Sequence, residues 1–387
     1  MITKNIFDKT GMASILFAAI NSLFIAKYSE RLIGNYYMPL TAFFFLVELI
    51  GCQYILSFVY NRFRKWYIGG IAVACIGLLG MVGVQYLIDP YSIKVDRWSA
   101  LHFPIQHLLE GIYPYCAQTH LGGYASPFPI WQLIHVPFYL LGNVGLSFFA
   151  AVALFIYSIC HTQGYRAAVL CLLLIITSPA IWYEVAVRSD LIGNSFMIAA
   201  VINFCIPYYN SAWLKKYWYI IACALGLLAC TRLVVLIPAG LLLLPEFVKM
   251  KLSKQIAFCM IFLIIFILTF LPFALWDWEQ FFYHRHNPWS LQTRQGNLSD
   301  FIIFVPLGIY LAFQHCGNIS KYFRNVAIMF VTFIGVSFLH NMYSKGNWDL
   351  FSASYDITYF SLALPFIFAC LSSSTSAMIS RYESTRV

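Results

Sequence analysis

Apolar runs long enough to cross a bilayer recur from one end of this chain to the other, and that recurrence limits its fold more than any other feature. A helix rising 1.5 Å per residue needs roughly 20 residues to cross ~30 Å of hydrocarbon. With no water at that depth, every backbone N–H and C=O must be satisfied within the segment, so such runs are read as helices. They fall at roughly 12–28, 38–59, 66–88, 145–161, 165–180, 190–207, 216–230, 232–246, 255–272, 300–316, 325–341 and 356–372. The expected fold class is an all-α polytopic membrane protein of about 12 transmembrane helices, with no room between spans for a soluble domain. Composition excludes an ordinary soluble globule: 61% of the 387 residues are hydrophobic, 10% are charged, and the mean hydropathy is +0.75. Nearly all of the 11 Cys lie within the apolar runs, and Cys116 is the only one in a long loop. They read as small core residues rather than a disulfide framework.

Orientation follows from Lys and Arg. Lys4 and Lys9 precede the first run, which reads as a retained signal anchor. With the amino terminus cytoplasmic, the basic loops around Arg62, Arg166, Lys215, Lys249 and Lys321 and the carboxy-terminal tail share that side. This places 15 of the 24 basic residues there. The acids go the other way: 11 of 15 fall outside, among them Glu30, Asp277, Glu279, Asp300, Asp349 and Asp356. An outer face equipped for chemistry or for cation handling is expected, over a plain inner face of basic anchors. "PFPIWQLIHVPFYLLG" at 127–142 is apolar enough for a span, but counting it as one would put the basic loops on opposite sides. It is expected to be a short helix on or in the outer leaflet. The outer loops are then 89–144, 276–299 and 341–355.

"KVDRWSALHFPIQHLLEGIYPY" at 94–115 concentrates charge in a chain that has little. Apolar residues at 98, 101, 105, 108, 109 and 112 have helical spacing, and Ser99, His102, Gln106 and Glu110 occupy one flank. The pattern predicts an amphipathic helix lying flat, with Trp98 at headgroup level. Asp96 and Arg97 precede its first turn, where a carboxylate can cap free N–H groups.

An outer loop with an acid near its start, a surface helix ending "GIYPY", then "GGYASPFP" and a short helix closed by Gly resembles the first outer loop of the GT-C glycosyltransferases. "SPAIWYEVAVRSDLIGN" at 178–194 and "TRLVVLIPAG" at 231–240 extend the resemblance. It covers residues 66–375 and looks most like bacterial polyprenyl-phosphomannose-dependent mannosyltransferases. The first 65 residues then read as an added hairpin, with Glu48 as its structural acid, and 376–387 as a cytoplasmic tail. The resemblance implies a multi-pass enzyme of the bacterial plasma membrane, with both termini cytoplasmic. It would move a hexose such as mannose from a polyprenyl-phosphate donor to a glycan or glycolipid acceptor at the outer face, with inversion. In that family an Asp early in this loop is the catalytic base, which by position is Asp96, with Asp89 second. The paired acidic motif by which larger members hold a divalent metal is missing, so no metal or other cofactor is expected. Membrane lipids are the surroundings, and nucleic acid is not a partner.

The chemistry can be asked for independently. Transfer from a lipid phosphate needs a base at the acceptor hydroxyl and cations at the departing phosphate, with Arg favoured for its fork of donors. Arg232, Arg285 and Arg294, with His284 and His286, are the outer-face supply; Arg232 could equally be a snorkelling anchor. His-x-His alone is weak evidence for a metal. Arg97, Glu110, Tyr124, Glu184, Arg188 and Asp190 are candidates for acceptor contact or support, and Asp190 could simply pair with Arg188. The alternatives from other classes are a transporter or flippase for lipid-linked glycan and a polysaccharide polymerase. A flippase calls for charge along a path through the bundle, and a polymerase for a dominant outer loop late in the chain; neither pattern is present.

Overall fold

The computed structural model describes residues 2–61, 63–208, 211–284, 287–293, 297–314, 318–349, 351–352 and 355–384. In chain order the helices are α1 (Ile2–Ile33), α2 (Tyr37–Asn61), α3 (Phe63–Leu87), α4 (Ser99–Leu109), α5 (Pro129–Leu140), α6 (Ser147–Gln163), α7 (Tyr165–Thr177), α8 (Pro179–Ala186) and α9 (Asp190–Cys205). There follow α10 (Ser211–Ala229), α11 (Leu236–Phe247), α12 (Leu252–Trp276), α13 (Trp278–Phe282), α14 (Pro288–Thr293), α15 (Phe301–Gln314), α16 (Ile319–Lys345) and α17 (Leu364–Ser384). Strand pairing among the described residues is limited to an isolated bridge between Gln118 and Tyr124. The protein is an all-α polytopic membrane protein.

Among the described residues, each of the twelve expected spans falls largely on helix, but they are not equivalent. Among the described residues, eight helices are long and apolar enough to cross a membrane: α1, α2, α3, α6, α9, α12, α16, and α17 together with the 3-10 turn before it. A ninth span arises if α7 and α8 count as one, and these are bent by 70°. The bend sits at Ser178, whose backbone is extended because it precedes Pro179; its hydroxyl then caps α8 at the Ile181 N–H. The runs expected at 216–230, 232–246 and 300–316 are shorter apolar helices, below the ~20 residues a perpendicular crossing requires. Apolar composition alone does not distinguish these three from full spans.

Burial sorts the bundle into a centre and a rim. The span Ile357–Ser374, made of the 3-10 turn and the first half of α17, is 89% buried and that of α1 67%, whereas α2, α3 and α12 each reach 17% and turn Leu, Ile and Phe outward, as lipid-facing helices do. Phe17 of α1 meets Phe368 of α17 edge to face at 6.0 Å, so the first helix belongs to the central packing. Glu48 on α2 is half-buried and faces Asn21 of α1.

Side-chain hydrogen bonds join like ends of the helices. At one end Glu184 meets Ser361, Arg232 meets Asp190, and Lys27 donates to the Tyr355 carbonyl. At the other, Gln163 bridges Asn203 and Ser372, and Ser320 meets Ser374. Helices that alternate in direction require this segregation. The first end is the one the Lys and Arg distribution assigns to the outside.

α4 and α5 pack on each other beneath that end. Trp98 is 3% exposed, sits against Leu101, Ile105, Trp131 and Val144, and donates its indole N–H to the Pro90 carbonyl at 2.9 Å. It is a core residue and not the headgroup anchor expected from its position. The wet flank of α4 begins at Gln106, which donates to Glu110 at 2.9 Å.

Candidate active site at the end of the bundle

Two Arg–carboxylate pairs form at this end, and each joins segments far apart in sequence. Asp190 opens α9, and its Oδ2 accepts from Nε of Arg232 at 3.0 Å, from a second guanidinium nitrogen, and from the Trp131 indole N–H at 2.9 Å. Asp190 is 3% exposed and Arg232 7%. Trp131 lies on α5, so the helix expected to rest in the outer leaflet presents its indole to a buried carboxylate. Arg188 does not take the role of partner to Asp190. It donates to the backbone carbonyls of Gln85 and Ile88 at the end of α3, held by a left-handed backbone (φ 51°) at the turn out of α8. That turn aims Asp190 into the bundle and Arg188 toward α3. Arg232 is likewise no snorkelling anchor; it is buried and paired.

The second pair is Arg97 with Asp356, where Arg97 also donates to the Thr358 hydroxyl and lies 5.4 Å from the centre of the Tyr359 ring. The Thr358 N–H and hydroxyl both donate to the other carboxylate oxygen, at 3.1 and 2.6 Å. Partial burial alone would raise the Asp356 carboxyl; the Arg97 charge and the Thr358 hydrogen bonds outweigh it and hold Asp356 below its usual range. Burial would lower Arg97, but Asp356 first and Glu184 next push it above its usual value. Glu184 is fully buried, accepts from Ser361 at 3.2 Å, and has no partner for its second oxygen among the described residues. Arg97 interacts electrostatically with Asp356 most, then with Glu184 and Asp190, which links the segment before α4 with α8, α9 and the 3-10 turn before α17.

Asp96 precedes Arg97 in the chain but has a different environment. Its side chain does not cap α4, and its backbone carbonyl instead accepts from Ala100 N–H at 2.9 Å. The carboxylate accepts from the Thr119 hydroxyl at 3.1 Å and is half-exposed. A tight turn at 119–123 supplies that hydroxyl: Thr119 and Gly123 pair through the backbone at 2.8 Å, and Gly122 takes φ +78°, which side-chain-bearing residues rarely adopt. A Cβ on Gly123 would lie 2.6 Å from Asp96 Oδ2, so glycine there makes room for the carboxylate. The His120 ring pins the segment from its other side, with Nε2 at 2.8 Å from the Ile93 carbonyl and Nδ1 at 2.7 Å from Ser99 Oγ.

The remaining predicted residues are dispersed. Asp89 caps the short turn at 90–92 through the Tyr91 N–H and is exposed. Glu110 is exposed at the far end of α4. Tyr124 accepts from Gln118 at 3.0 Å and lies against the His284 ring, centroids 5.1 Å apart. Arg285, His286 and Arg294 lie outside the described residues.

An apolar cavity of about 410 Å³ opens below Arg232, walled by Leu236, Gly240 and Leu244 of α11, Phe304 and Gly308 of α15, and Phe333 of α16. Thr119, Gly123, Asp356 and Thr358 escaped the sequence reading as site residues. The two glycines of "HLGGY" were the available sign of a tight turn; nothing in the sequence pointed to Asp356 as the partner of Arg97.

Comparison with protein-family models gives no match, and comparison with curated protein sequences gives none either. Among solved structures the chain is similar to ArnT from Cupriavidus metallidurans bound to undecaprenyl phosphate, with 15% identity and a TM-score of 0.45. The similarity covers 80% of this chain, which spans 60% of the length of that one.

Proposed function

We propose that this chain is an integral-membrane glycosyltransferase of GT-C type, which takes a sugar, a hexose such as mannose, from a polyprenyl-phosphate donor and passes it to a glycan or glycolipid acceptor at the outer face. The observation that carries the reading is the juxtaposition at one end of the bundle. A half-exposed Asp96 precedes Arg97 in the chain, Arg97 and Arg232 pair with carboxylates at that end, and an apolar cavity starts one turn beyond Arg232. A donor with an isoprenoid tail and an anionic head needs those three environments in that order. Asp96 deprotonates the acceptor hydroxyl, which attacks the anomeric carbon, forms the new C–O bond and inverts the centre as the bond to the lipid phosphate breaks. Charge then accumulates on that phosphate, and Arg232, with His284 and the basic residues of the same loop, stabilises it. Trp131 and Asp190 position Arg232 and keep its charge balanced before the donor arrives. No divalent metal takes part, a reading supported by the absence of a DxD motif in the sequence.

The test is release of polyprenyl phosphate from a polyprenyl-phospho-sugar by the purified full chain in detergent. Release is expected, undiminished by EDTA, and Asp96→Asn should lower it at least about a hundredfold, within the usual yield of a general base, while the variant still inserts. Full activity in Asp96→Asn removes Asp96 as the base. Movement of the donor across vesicles without release would make the protein a flippase.

A further inference from the structure

His340 and Asp300 form a pair that the reading above does not use. Asp300 is the last residue before α15 and His340 lies in the final turns of α16; Nδ1 of the ring and Oδ1 of the carboxylate are 2.6 Å apart. Burial separates the two: the Asp300 side chain is 4% exposed and the His340 side chain 32%. The carboxylate therefore sits behind the ring. With Nδ1 committed to it, the Nε2 edge is the part of the imidazole left to meet a ligand. Polar atoms are left over behind it, since Asp300 Oδ2 and Ser337 Oγ are buried without a partner among the described residues.

The pair stands at the rim of the apolar cavity. Phe301, the residue after Asp300, lines that cavity, as do Phe304 and Gly308 further along α15. On α16 the lining residues Met329 and Phe333 are followed by His340 seven residues on, which returns to nearly the same face about 10 Å further along the helix. Asp300 and His340 are thus at the same end of the cavity as Arg232, across its mouth on different helices. The walls are apolar throughout, so they suit a hydrocarbon chain, and the polar groups at the mouth are a buried carboxylate already matched to an imidazole and a buried Arg already matched to an acid.

We propose that His340, oriented by Asp300, is a binding residue for the phosphate head of a single-chain lipid whose tail occupies this cavity. The tail's identity as an isoprenoid rests on the function proposed above. Nε2–H of the ring donates to a phosphate oxygen while Asp300 holds Nδ1 from behind, so the ligand meets the donor and never the carboxylate. Asp300 acts through the ring and is a positioning residue.

The test uses the full chain in detergent and measures retention of a long-chain isoprenyl phosphate, the matching isoprenyl alcohol and inorganic phosphate. The native protein should retain the phosphate over the alcohol. His340→Gln should cut that preference by about tenfold, the worth of one charge-assisted hydrogen bond, without changing retention of the alcohol. His340→Lys should restore most of it, and Asp300→Asn should fall between. Equal preference in His340→Gln and native protein overturns the proposal, as does equal loss of alcohol and phosphate, or failure of His340→Lys to restore the preference. Displacement of the lipid by millimolar inorganic phosphate would make this a site for the free anion and overturn the lipid assignment. Sugar transfer that survives His340→Gln with its donor affinity unchanged sinks this proposal and leaves the proposed function standing. His340-dependent retention without any transfer does the reverse.

Discussion

Arg232 and Asp190, 42 residues apart in the chain, close a buried ion pair whose carboxylate is also held by the Trp131 indole. The pair joins the turn before α11 to the start of α9, with α5 as its third support. Removing one charge from such a site leaves the other desolvated and unmatched, which costs more than the pair itself contributes. Asp190→Ala should therefore destabilise the protein by roughly 3–5 kcal/mol, whereas the double change Asp190→Leu with Arg232→Met should cost clearly less. Thermal unfolding in detergent distinguishes the two. A harmless single variant would mean that the pair is solvated in the native protein.

Gly123 controls where the Asp96 carboxylate can be. The 2.6 Å that would separate an alanine Cβ at this position from Asp96 Oδ2 is shorter than real side-chain contacts allow, so Gly123→Ala must push the carboxylate or the 119–123 turn aside. Transfer should fall by about tenfold or more, since displacement of a catalytic group by about 1 Å is felt at that scale. Global stability should change by only about 1 kcal/mol, because the turn lies outside the packed bundle. Unchanged turnover in this variant would separate Asp96 from the chemistry even if Asp96→Asn were inactive.

Part of this was legible from sequence and part was not. Apolar runs are a local property, so the helices were readable, though not which of them are long enough to cross, and α4 and α5 were placed to within a few residues for the same reason. Asp96 stood out because acids are scarce here. Its surroundings did not, since Thr119 and Gly123 are common residues whose meaning depends on a turn folding back over 23 positions. The pairs were the least accessible. Asp190 has Arg188 two residues away, yet the left-handed backbone at Arg188 sends that side chain to α3 and leaves Asp190 for Arg232. Arg97 finds Asp356 across 259 residues, a pairing set by the packing of whole helices.

His135 should make stability depend on pH. The ring is fully buried on α5 beside Trp131, with Nε2 unpartnered among the described residues, and burial pushes it down to about 4. Asp190 and the Trp131 carbonyl oppose that shift and Arg232 adds to it. The folded state thus refuses a proton that the unfolded chain accepts near 6.5, so stability falls as pH drops below 6.5, and the loss is complete once pH passes below 4. By about pH 5 the penalty is about 2 kcal/mol. His135→Phe should remove that portion of the slope between about pH 7 and 5 while fitting the same apolar site. Parallel pH–stability curves for the two proteins would show that His135 keeps its proton in the fold.

Gly240 offers the sharpest handle on the cavity. It lies on α11, two turns beyond Arg232, and a Cβ there would meet nothing within 4 Å because it would point into the open space. A large side chain at this position should therefore occupy the cavity without disturbing the helices around it, and replacing a mid-helix glycine favours the helix by up to about 1 kcal/mol. Gly240→Phe should keep or raise thermal stability. If the cavity holds the donor's tail, the same change should raise the apparent KM for a long-chain polyprenyl-phospho-sugar by about tenfold or more, since several buried methylenes at ~0.8 kcal/mol each lose their place. A donor with a tail of one or two isoprene units would never have reached that depth, and its KM should hardly move. The contrast between the two donors is what matters: equal effects on both would point to a distorted Arg232 turn, and no effect on either would place the tail elsewhere on the bundle.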